Sequence, residues 1–563
     1  MKEPTKEQYD ILICGGGLAG LTLARQLRKE VPRADIVVIE KTRRPLPPGG
    51  FKVGESTVEG AAFYLAEILD LRAELDRAHT RKNGPRFFTG GGEIPLVERP
   101  EIGAAGFPRM PSWQIDRGLL EQKLRDDLQK QGVDLLEGYV LREITPTTMV
   151  GTMHEIQVES TETGRTTTLR GLWLIDALGR RRKLQRLLGH DRENTHRASA
   201  AWFHFDFALD VNDLAAPGPW HERDPEGIRF RSTNFMTGEG YWTWLVVLKS
   251  GFTSFGIVTD ETLHPFKNYG SYEKALDWLR VHEPLLAERF SRERPRKFRG
   301  LRDFSYSSAR VFDQSRWACV GDSGIFLDPL YSPGIDFIGL SNCMTTSMIK
   351  RDFLGKLNVE HVEQFNRVYL AMAEGLLETF RGNYRAFGKT EVFKAKLYWD
   401  TLFYWSFFAP ILIFRLCDEP ERLLEAPLFR QYLDLEQDMQ AFFRRWAKIA
   451  PAVHRPEYTP YPPRGSLLTD LHVRLMENNN PEQALARMGE HLELCREAAL
   501  QIRERAGIEA PSNGPSAPST EAPGRPHELS MKLEFSYYHG ELDENAHRAS
   551  RMLLDSVSRA PSR

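Results

Sequence analysis

Three glycines, at positions 15, 17 and 20, stand in the spacing G-x-G-x-x-G, and Glu40 follows twenty residues beyond the last of them. Residues of these types in this register can hold a dinucleotide. Gly15 permits a tight strand-to-helix turn, and Gly17 lets a pyrophosphate approach the backbone with no Cβ in the way. Gly20 lets the following helix pack closely on the sheet, and Glu40 can accept hydrogen bonds from ribose hydroxyls. Two further pieces lie far along the chain. Asp176-Ala177-Leu178-Gly179 ends an apolar run with a glycine turn, and Asp322 follows Trp317-Ala318-Cys319-Val320-Gly321. A nicotinamide site needs only the first piece, so the three together predict FAD. Arg117 stands between a strand-like run and a helix, where a guanidinium suits a flavin or pyrophosphate contact as well as a simple helix-start charge. Lys82 lies in K-x-G-x-R-F-F. An isolated lysine is ordinarily a solvated charge, but a flanking glycine and aromatic pair also suit a lysine lining an active site.

The elements that must position these residues follow from the pattern around them. Residues 11–14 form a short apolar run suited to a strand buried on both faces, 21–28 has helical composition, and 36–39 is a second apolar run that ends in Glu40. A bare glycine motif is weak; strand, glycines, helix, strand and acid in register are strong. A proline- and glycine-rich connection at 45–50 leads to Lys52-Val53-Gly54-Glu55-Ser56-Thr57. The pattern predicts a helix over 58–78, an amphipathic helix over 119–131, β-like segments over 133–145 and 152–159, and a third buried strand at 172–175. From 200 to 260 the composition is β-rich and aromatic, as for a sheet that covers a substrate cavity. Residues 345–500 read as mostly helical, and 506–530, rich in Pro, Ser and Gly, as a flexible linker before a loosely held tail. The expected fold class is α/β: a Rossmann-type FAD-binding domain at 8–200 that returns at 311–345, an interleaved β-sheet substrate domain at 201–310, a helical C-terminal region at 346–505, and a linker and tail at 506–563.

Composition narrows the setting. At 563 residues the chain is too long for one ordinary core, and 41% hydrophobic with 27% charged residues is ordinary for a globular protein. A net charge of −2 gives no reason to expect nucleic acid as a partner. The polar N-terminal decapeptide leads straight into the first strand, so no signal peptide is expected. The five cysteines lack C-x-x-C spacing, which predicts neither zinc nor disulfides and fits a reducing cytoplasm. The apolar stretch 402–414 is shorter than the roughly 20 residues of a membrane span; it fits a buried or tunnel-lining helix, with an interfacial patch as the alternative.

The assembled motifs resemble the FAD-dependent monooxygenases and halogenases over about residues 8–345, and most closely the flavin-dependent halogenases. Lys52-Val53-Gly54-Glu55-Ser56 resembles that family's flavin-contacting segment, and Trp242-Thr243-Trp244 the first half of its W-x-W-x-I-P signature. Asp328-Pro329-Leu330-Tyr331-Ser332-Pro333-Gly334-Ile335 resembles the loop that runs beside the flavin and holds halide. The resemblance implies Gly54, Ser56, Gly334 and Ile335 as further cofactor contacts and Lys82 as the catalytic lysine. It also implies that a flavin hydroperoxide oxidises halide to hypohalous acid, which reaches the lysine through a tunnel, and that a partner reductase supplies reduced FAD. The lysine would then polarise or carry the electrophilic halogen toward an electron-rich carbon.

The chain departs from the family pattern at three points. Val246 and Val247 replace the isoleucine and proline of the tryptophan signature, and alternating tryptophans also fit plain sheet core. Tyr331 replaces the glutamate that tryptophan halogenases carry in this loop, which argues against tryptophan as substrate. Pro333 has no N–H at a turn where the family binds halide through backbone donors. The expected function is therefore halogenation of an electron-rich aromatic or other small molecule, free or carrier-bound. The alternatives are a monooxygenase or dehydrogenase on the same scaffold that does not use halide, and a flavin-binding interaction module without turnover.

Overall fold

The first apolar run forms the strand Gln8–Cys14, and residues 11–14 have no exposed surface. A strand buried on both faces needs hydrogen-bonded neighbours on both edges. It finds them in Ile36–Glu40 and Thr166–Asp176, both parallel to it. Asp134–Glu137 extends the sheet on one side and Trp317–Cys319 on the other, again in parallel. These five strands are the core of an eight-stranded sheet, so the glycine turn, the 176–179 turn and the 320–322 segment all leave from neighbouring strand ends. The helix Leu18–Glu30 leaves the glycine turn and packs against Arg117–Lys130 and Gly334–Phe353. The computed structural model describes residues 3–508 except 51, 150, 225 and 464; of the linker and tail expected at 506–563, Ala506 still belongs to the helix Pro481–Ala506, and 509–563, like Phe51, lie outside the described residues.

A second eight-stranded sheet runs in the order Lys297–Leu301, Ala198–Phe205, Thr253–Asp260, Tyr241–Val247, Thr233–Gly238, Pro85–Phe88, Glu101–Gly103, Tyr458–Pro460. It is antiparallel except where Thr233–Gly238 meets Pro85–Phe88 and where Tyr458–Pro460 meets Glu101–Gly103. The last strand interrupts a region that reads as helical, and it brings the C-terminal part of the chain back onto the sheet beside Glu101–Gly103.

Local chemistry moves several expected boundaries. The helix expected from 119 starts at Arg117, because Asp116 Oδ1 accepts from the N–H groups of Gly118 at 2.9 Å and Leu119 at 3.1 Å. The β-like segment 133–145 divides at Gly138, whose φ is +79°. The segment 58–78 is not one helix: Glu59–Phe63 runs into a π turn, Tyr64–Ile68, and helix resumes only at Arg72–Ala78. The stretch 402–414 likewise carries a π turn, Tyr404–Phe408, between Thr390–Phe403 and Ala409–Ile413. Residues 405–413 are all buried, so this stretch is core and not an interfacial patch. Among the described residues no helix is long and apolar enough to cross a membrane. Each π turn begins with a tyrosine whose hydroxyl reaches the helix Gly334–Phe353: Tyr64 accepts from Asn342 Nδ2 at 2.9 Å, and Tyr404 donates to Asp336 Oδ2 at 2.9 Å.

Candidate active site

A cavity of about 470 Å³ runs from the glycine turn to the second sheet. Of the residues singled out in the sequence, Gly15, Gly17, Glu40, Gly54, Ser56, Arg117, Asp322, Gly334 and Ile335 line it, whereas Gly20 and Lys82 do not.

The three glycines of the turn serve different ends. Gly15 has φ +123°, and a Cβ there would lie 2.3 Å from the Ala177 carbonyl oxygen. A Cβ on Gly20 would lie 2.0 Å from the Gly15 carbonyl oxygen, so Gly20 sits at the helix–sheet contact behind the cavity. A Cβ on Gly17 would meet nothing nearer than Lys52 Nζ at 3.9 Å, so Gly17 opens into the cavity. Glu40 stands at the same end, its Oε2 accepting from the Gly16 N–H at 2.9 Å and its Oε1 from the Thr42 N–H at 2.8 Å.

Asp176 holds the second turn by accepting from the N–H groups of Leu178 at 2.9 Å and Leu184 at 2.8 Å. Burial nevertheless pushes its pKa up to about 6. Asp322 lines the third piece; burial raises its pKa, with Arg180 and Arg117 pulling the other way. Arg117 Nη1 donates to the Val53 carbonyl at 3.0 Å, and Nη2 to Glu121 Oε1 at 2.8 Å. Burial works against charge on Glu121, yet Arg117 and Lys52 together hold its carboxyl below the usual range. This network fixes the segment 52–56, where Gly54 takes φ +94° and turns the chain along the cavity wall. Across from it, Trp242, Trp244 and Val246 line the cavity from one face of the strand Tyr241–Val247, as the period of two requires.

Lys82 stands one side chain behind this wall. It is 3% exposed, and its Nζ donates to Ser56 Oγ at 2.8 Å and the Thr57 carbonyl at 3.0 Å. Burial lowers its pKa to about 8, with Glu59 and Asp336 pulling upward.

The loop 328–334 closes the cavity in a conformation that costs energy. Tyr331 and Ser332 both have φ +63°, a left-handed backbone that side chains resist. The loop is anchored in buried polar groups at its start and at its middle. Asp328 Oδ2 accepts from His196 Nε2 at 2.6 Å and from the Tyr384 hydroxyl. The Tyr331 hydroxyl donates to Asp400 Oδ2 at 3.0 Å, and Asp400 is held in turn by Lys396 Nζ at 2.9 Å and Gln440 Nε2 at 2.8 Å. Pro333 then caps the helix Gly334–Phe353, whose first amides, Gly334 and Ile335, have no carbonyl one turn back to bond.

The arrangement fits an FAD molecule. Gly17 opens into the cavity and the carboxylate of Glu40 stands at a strand end beside it, while the helix start at Gly334 and the side chains of Trp242 and Trp244 line it further along. Sequence reasoning missed His196, Asp336, Tyr384, Asp400 and Tyr404. One signal was available: Asp336 is the only charged residue in the otherwise apolar run 334–340, and a buried acid there asks for a partner.

The family model described as tryptophan halogenase matches residues 98–401, and one for an NAD(P)-binding Rossmann-like domain matches residues 13–50. A flavin-dependent halogenase of Dictyostelium discoideum, chlA, is 24% identical over 438 residues, covering 73% of this chain and 72% of its own. The 1H-pyrrole-2-carbonyl-[peptidyl-carrier protein] brominase of Pseudoalteromonas luteoviolacea is 25% identical over 349 residues, 61% of this chain and 78% of its own. Among solved structures, the halogenase PltM in complex with phloroglucinol and FAD superposes with a TM-score of 0.61 at 15% identity, covering 88% of this chain and 96% of that one. At that identity the superposition shows a shared fold.

Proposed function

Since the chain belongs to the tryptophan halogenase family, we propose that it is an FAD-dependent halogenase acting on an electron-rich aromatic or other small molecule. The observation that carries the reading is a dinucleotide-shaped cavity whose wall residue, Ser56, is hydrogen-bonded to a buried lysine, Lys82. Gly15 and Gly17 receive the pyrophosphate, with Gly20 bringing the helix close behind them, and Glu40 takes the adenosine ribose. Asp322 and Arg117 serve the middle of the cofactor, and Gly54, Ser56, Gly334 and Ile335 its flavin end. Bound FAD, once reduced, supplies the power drawn from dioxygen to turn halide into an electrophilic halogen.

Halide is held by the amides of Gly334 and Ile335 at the start of a 20-residue helix, where N–H groups and helix dipole both favour an anion. Pro333 offers no donor, so the site binds halide less tightly than a turn with one more N–H. Lys82 meets the electrophilic halogen away from water: its N–H groups polarise it, or its lone pair, after proton loss, carries it to the substrate carbon. Tyr331, bonded to Asp400, shapes the loop between the two places. The substrate is free or carrier-bound; one relative is named for a carrier-bound pyrrole. A separate reductase supplies reduced FAD. All five cysteines are buried free thiols, which supports a cytoplasmic setting.

The test is product mass spectrometry with a flavin reductase, using free and carrier-loaded aromatic substrates in chloride, in bromide and without halide. A halogenated product that follows the halide supplied is expected. Halide-independent oxidation with no halogen in the product would overturn the reading and leave a monooxygenase or dehydrogenase on the same fold.

A further inference from the structure

The fold brings two of the five cysteines together. Cys343 lies in the helix Gly334–Phe353 and Cys417 in a short turn, Leu416–Asp418, that follows Arg415 at φ +58°. The turn is docked along one face of the helix. Ser347 Oγ donates to the Asp418 carbonyl at 2.8 Å and Arg351 Nη2 to the same oxygen at 3.2 Å, and residues 343, 347 and 351 share that face because they are spaced by four. The two Sγ atoms and a carboxylate oxygen of Asp418 consequently lie within 4.8 Å of one another. Gln26 Nε2 is 3.6 Å from the Cys343 sulfur, and Asp418 Oδ1 is 3.9 Å from the Cys417 sulfur. Three donors of this kind invite a metal, but two observations weigh against one. Arg415 already holds Asp418 Oδ2, with Nη2 at 2.6 Å and Nε at 2.8 Å, so a positive charge stands beside the site. A closed structural metal site takes four ligands, and among the described residues no further histidine, cysteine or carboxylate joins these three. Two thiols this close have another reaction open to them. Both are fully buried, yet the neighbouring side chains of Arg415 and Asp418 are 28% and 23% exposed, so solvent touches the groups beside them. Cys14 and Cys319 sit instead in central strands, and Cys495 against Ser406.

We propose that Cys343 and Cys417 are a peroxide-sensitive pair that closes to a reversible disulfide, tying the helix that begins at the loop 328–334 to the turn 416–418. In the first step one sulfur attacks an oxygen of hydrogen peroxide. An S–O bond forms, the O–O bond breaks, and water leaves with the thiol's proton, giving a sulfenic acid. The second sulfur then displaces that hydroxyl: the S–S bond forms, the S–O bond breaks and a second water leaves. Together the thiols lose two electrons and two protons, and one peroxide becomes two waters. The bonded sulfurs stand about 2.05 Å apart, so the two side chains turn toward each other as the bond forms. Contact with Cys343 and burial raise the Cys417 pKa, which keeps it a thiol at neutral pH and makes the reaction slow. Peroxide is what reduced FAD and dioxygen yield when no halide takes up the oxidising power. The pair therefore rests on the halogenase reading for the origin of its oxidant but not for its chemistry.

The test is a peptide map of the full-length, FAD-loaded protein treated with hydrogen peroxide, alkylated and digested without reductant. Met149, 68% exposed, reports the dose through its sulfoxide. At doses that oxidise Met149 fully, a crosslinked pair of peptides carrying Cys343 and Cys417 is expected, about 2 Da lighter than its two parts, and dithiothreitol should separate it. Cys343→Ser and Cys417→Ser should each lose the crosslink, and the surviving cysteine should pass to sulfinic acid. Should neither variant fold, the wild-type map decides alone. Three results overturn the proposal: two unreacted thiols at a dose that has fully oxidised Met149, sulfinic acid at either position without a crosslink, or a metal ion that purifies with the protein and is lost in the serine variants. A wild type that makes no halogenated product overturns the proposed function instead, while the peptide map still decides the pair.

Discussion

Replacing Tyr331 with phenylalanine removes one oxygen from a loop that depends on it. Tyr331 and Ser332 both hold φ at +63°, and the left-handed region costs roughly 1–2 kcal/mol per residue with a side chain, so about 2–4 kcal/mol for the pair. The Tyr331 hydroxyl donates to Asp400 at 3.0 Å, and a hydrogen bond to a charged group contributes about 1.5–3 kcal/mol. The anchor and the strain are of the same size. Asp400 keeps Lys396 and Gln440 in the variant, so no buried charge is orphaned and the cost falls on the loop. If about 2 kcal/mol is lost, the population of the halide-holding shape drops by more than an order of magnitude. The half-saturating halide concentration should rise by about tenfold or more, while FAD affinity, which also draws on the glycine turn and the 52–56 segment, should change much less. The assay is product formation against bromide concentration, beside an FAD titration followed by fluorescence. Unchanged halide dependence in a variant that still binds FAD would refute the reasoning. Adding Ser332→Gly should recover part of the loss, because glycine takes this backbone without cost.

Gly17→Val should abolish FAD binding, since its side chain would fill the open approach to the pyrophosphate; full affinity would mean that the cofactor lies elsewhere. Lys82→Ala should lose halogenated product yet still consume oxygen and release peroxide, and Lys82→Arg should not rescue it, because a guanidinium is bulkier and keeps its proton. Unchanged turnover in Lys82→Ala would remove the lysine from the chemistry. Pro333→Thr adds one N–H donor beside the halide and should lower the halide requirement by about one to two orders of magnitude; halide titration checks it. Burial, with Asp400 adding to it, raises the Glu436 pKa from 4.5 to about 7. The folded state therefore holds this proton more tightly, and the resulting stability is complete below pH 4.5 and lost as pH rises through 7. Glu436→Gln should flatten the fall in melting temperature over that window, and an unaltered pH slope would show that other groups set it.

Much of the fold was legible because it follows from local chemistry. Buried strands announce themselves as short apolar runs, and a turn that must bring backbone to a phosphate announces itself in glycines. Residues 11–14, 36–39 and 172–175 read correctly as buried strands for that reason. What stayed hidden depends on contacts between distant segments. Nothing near Tyr458 shows that three residues will pair with Glu101–Gly103, since a short strand's pairing is decided by its neighbour. The Tyr331–Asp400 and Asp336–Tyr404 bonds link residues 69 and 68 apart, and helix packing alone brings them together. Lys82 was read from its flanking residues as lining the cavity; in space Ser56 stands between them, a layer that sequence neighbours do not encode.

A π turn holds one residue more than the α-helical turn it replaces, as Tyr64–Ile68 and Tyr404–Phe408 each do. Deleting that residue would let a regular helix close, and everything on one side of it would rotate by about 100° relative to the other. Tyr404 would then swing off Asp336, and Tyr64 off Asn342, with no change in the overall composition of either helix. Homologues can therefore be sorted by a gap of one position at each place. A chain that lacks the extra residue near 404 must hold the carboxylate at 336 with some other side chain, however similar the rest of its sequence.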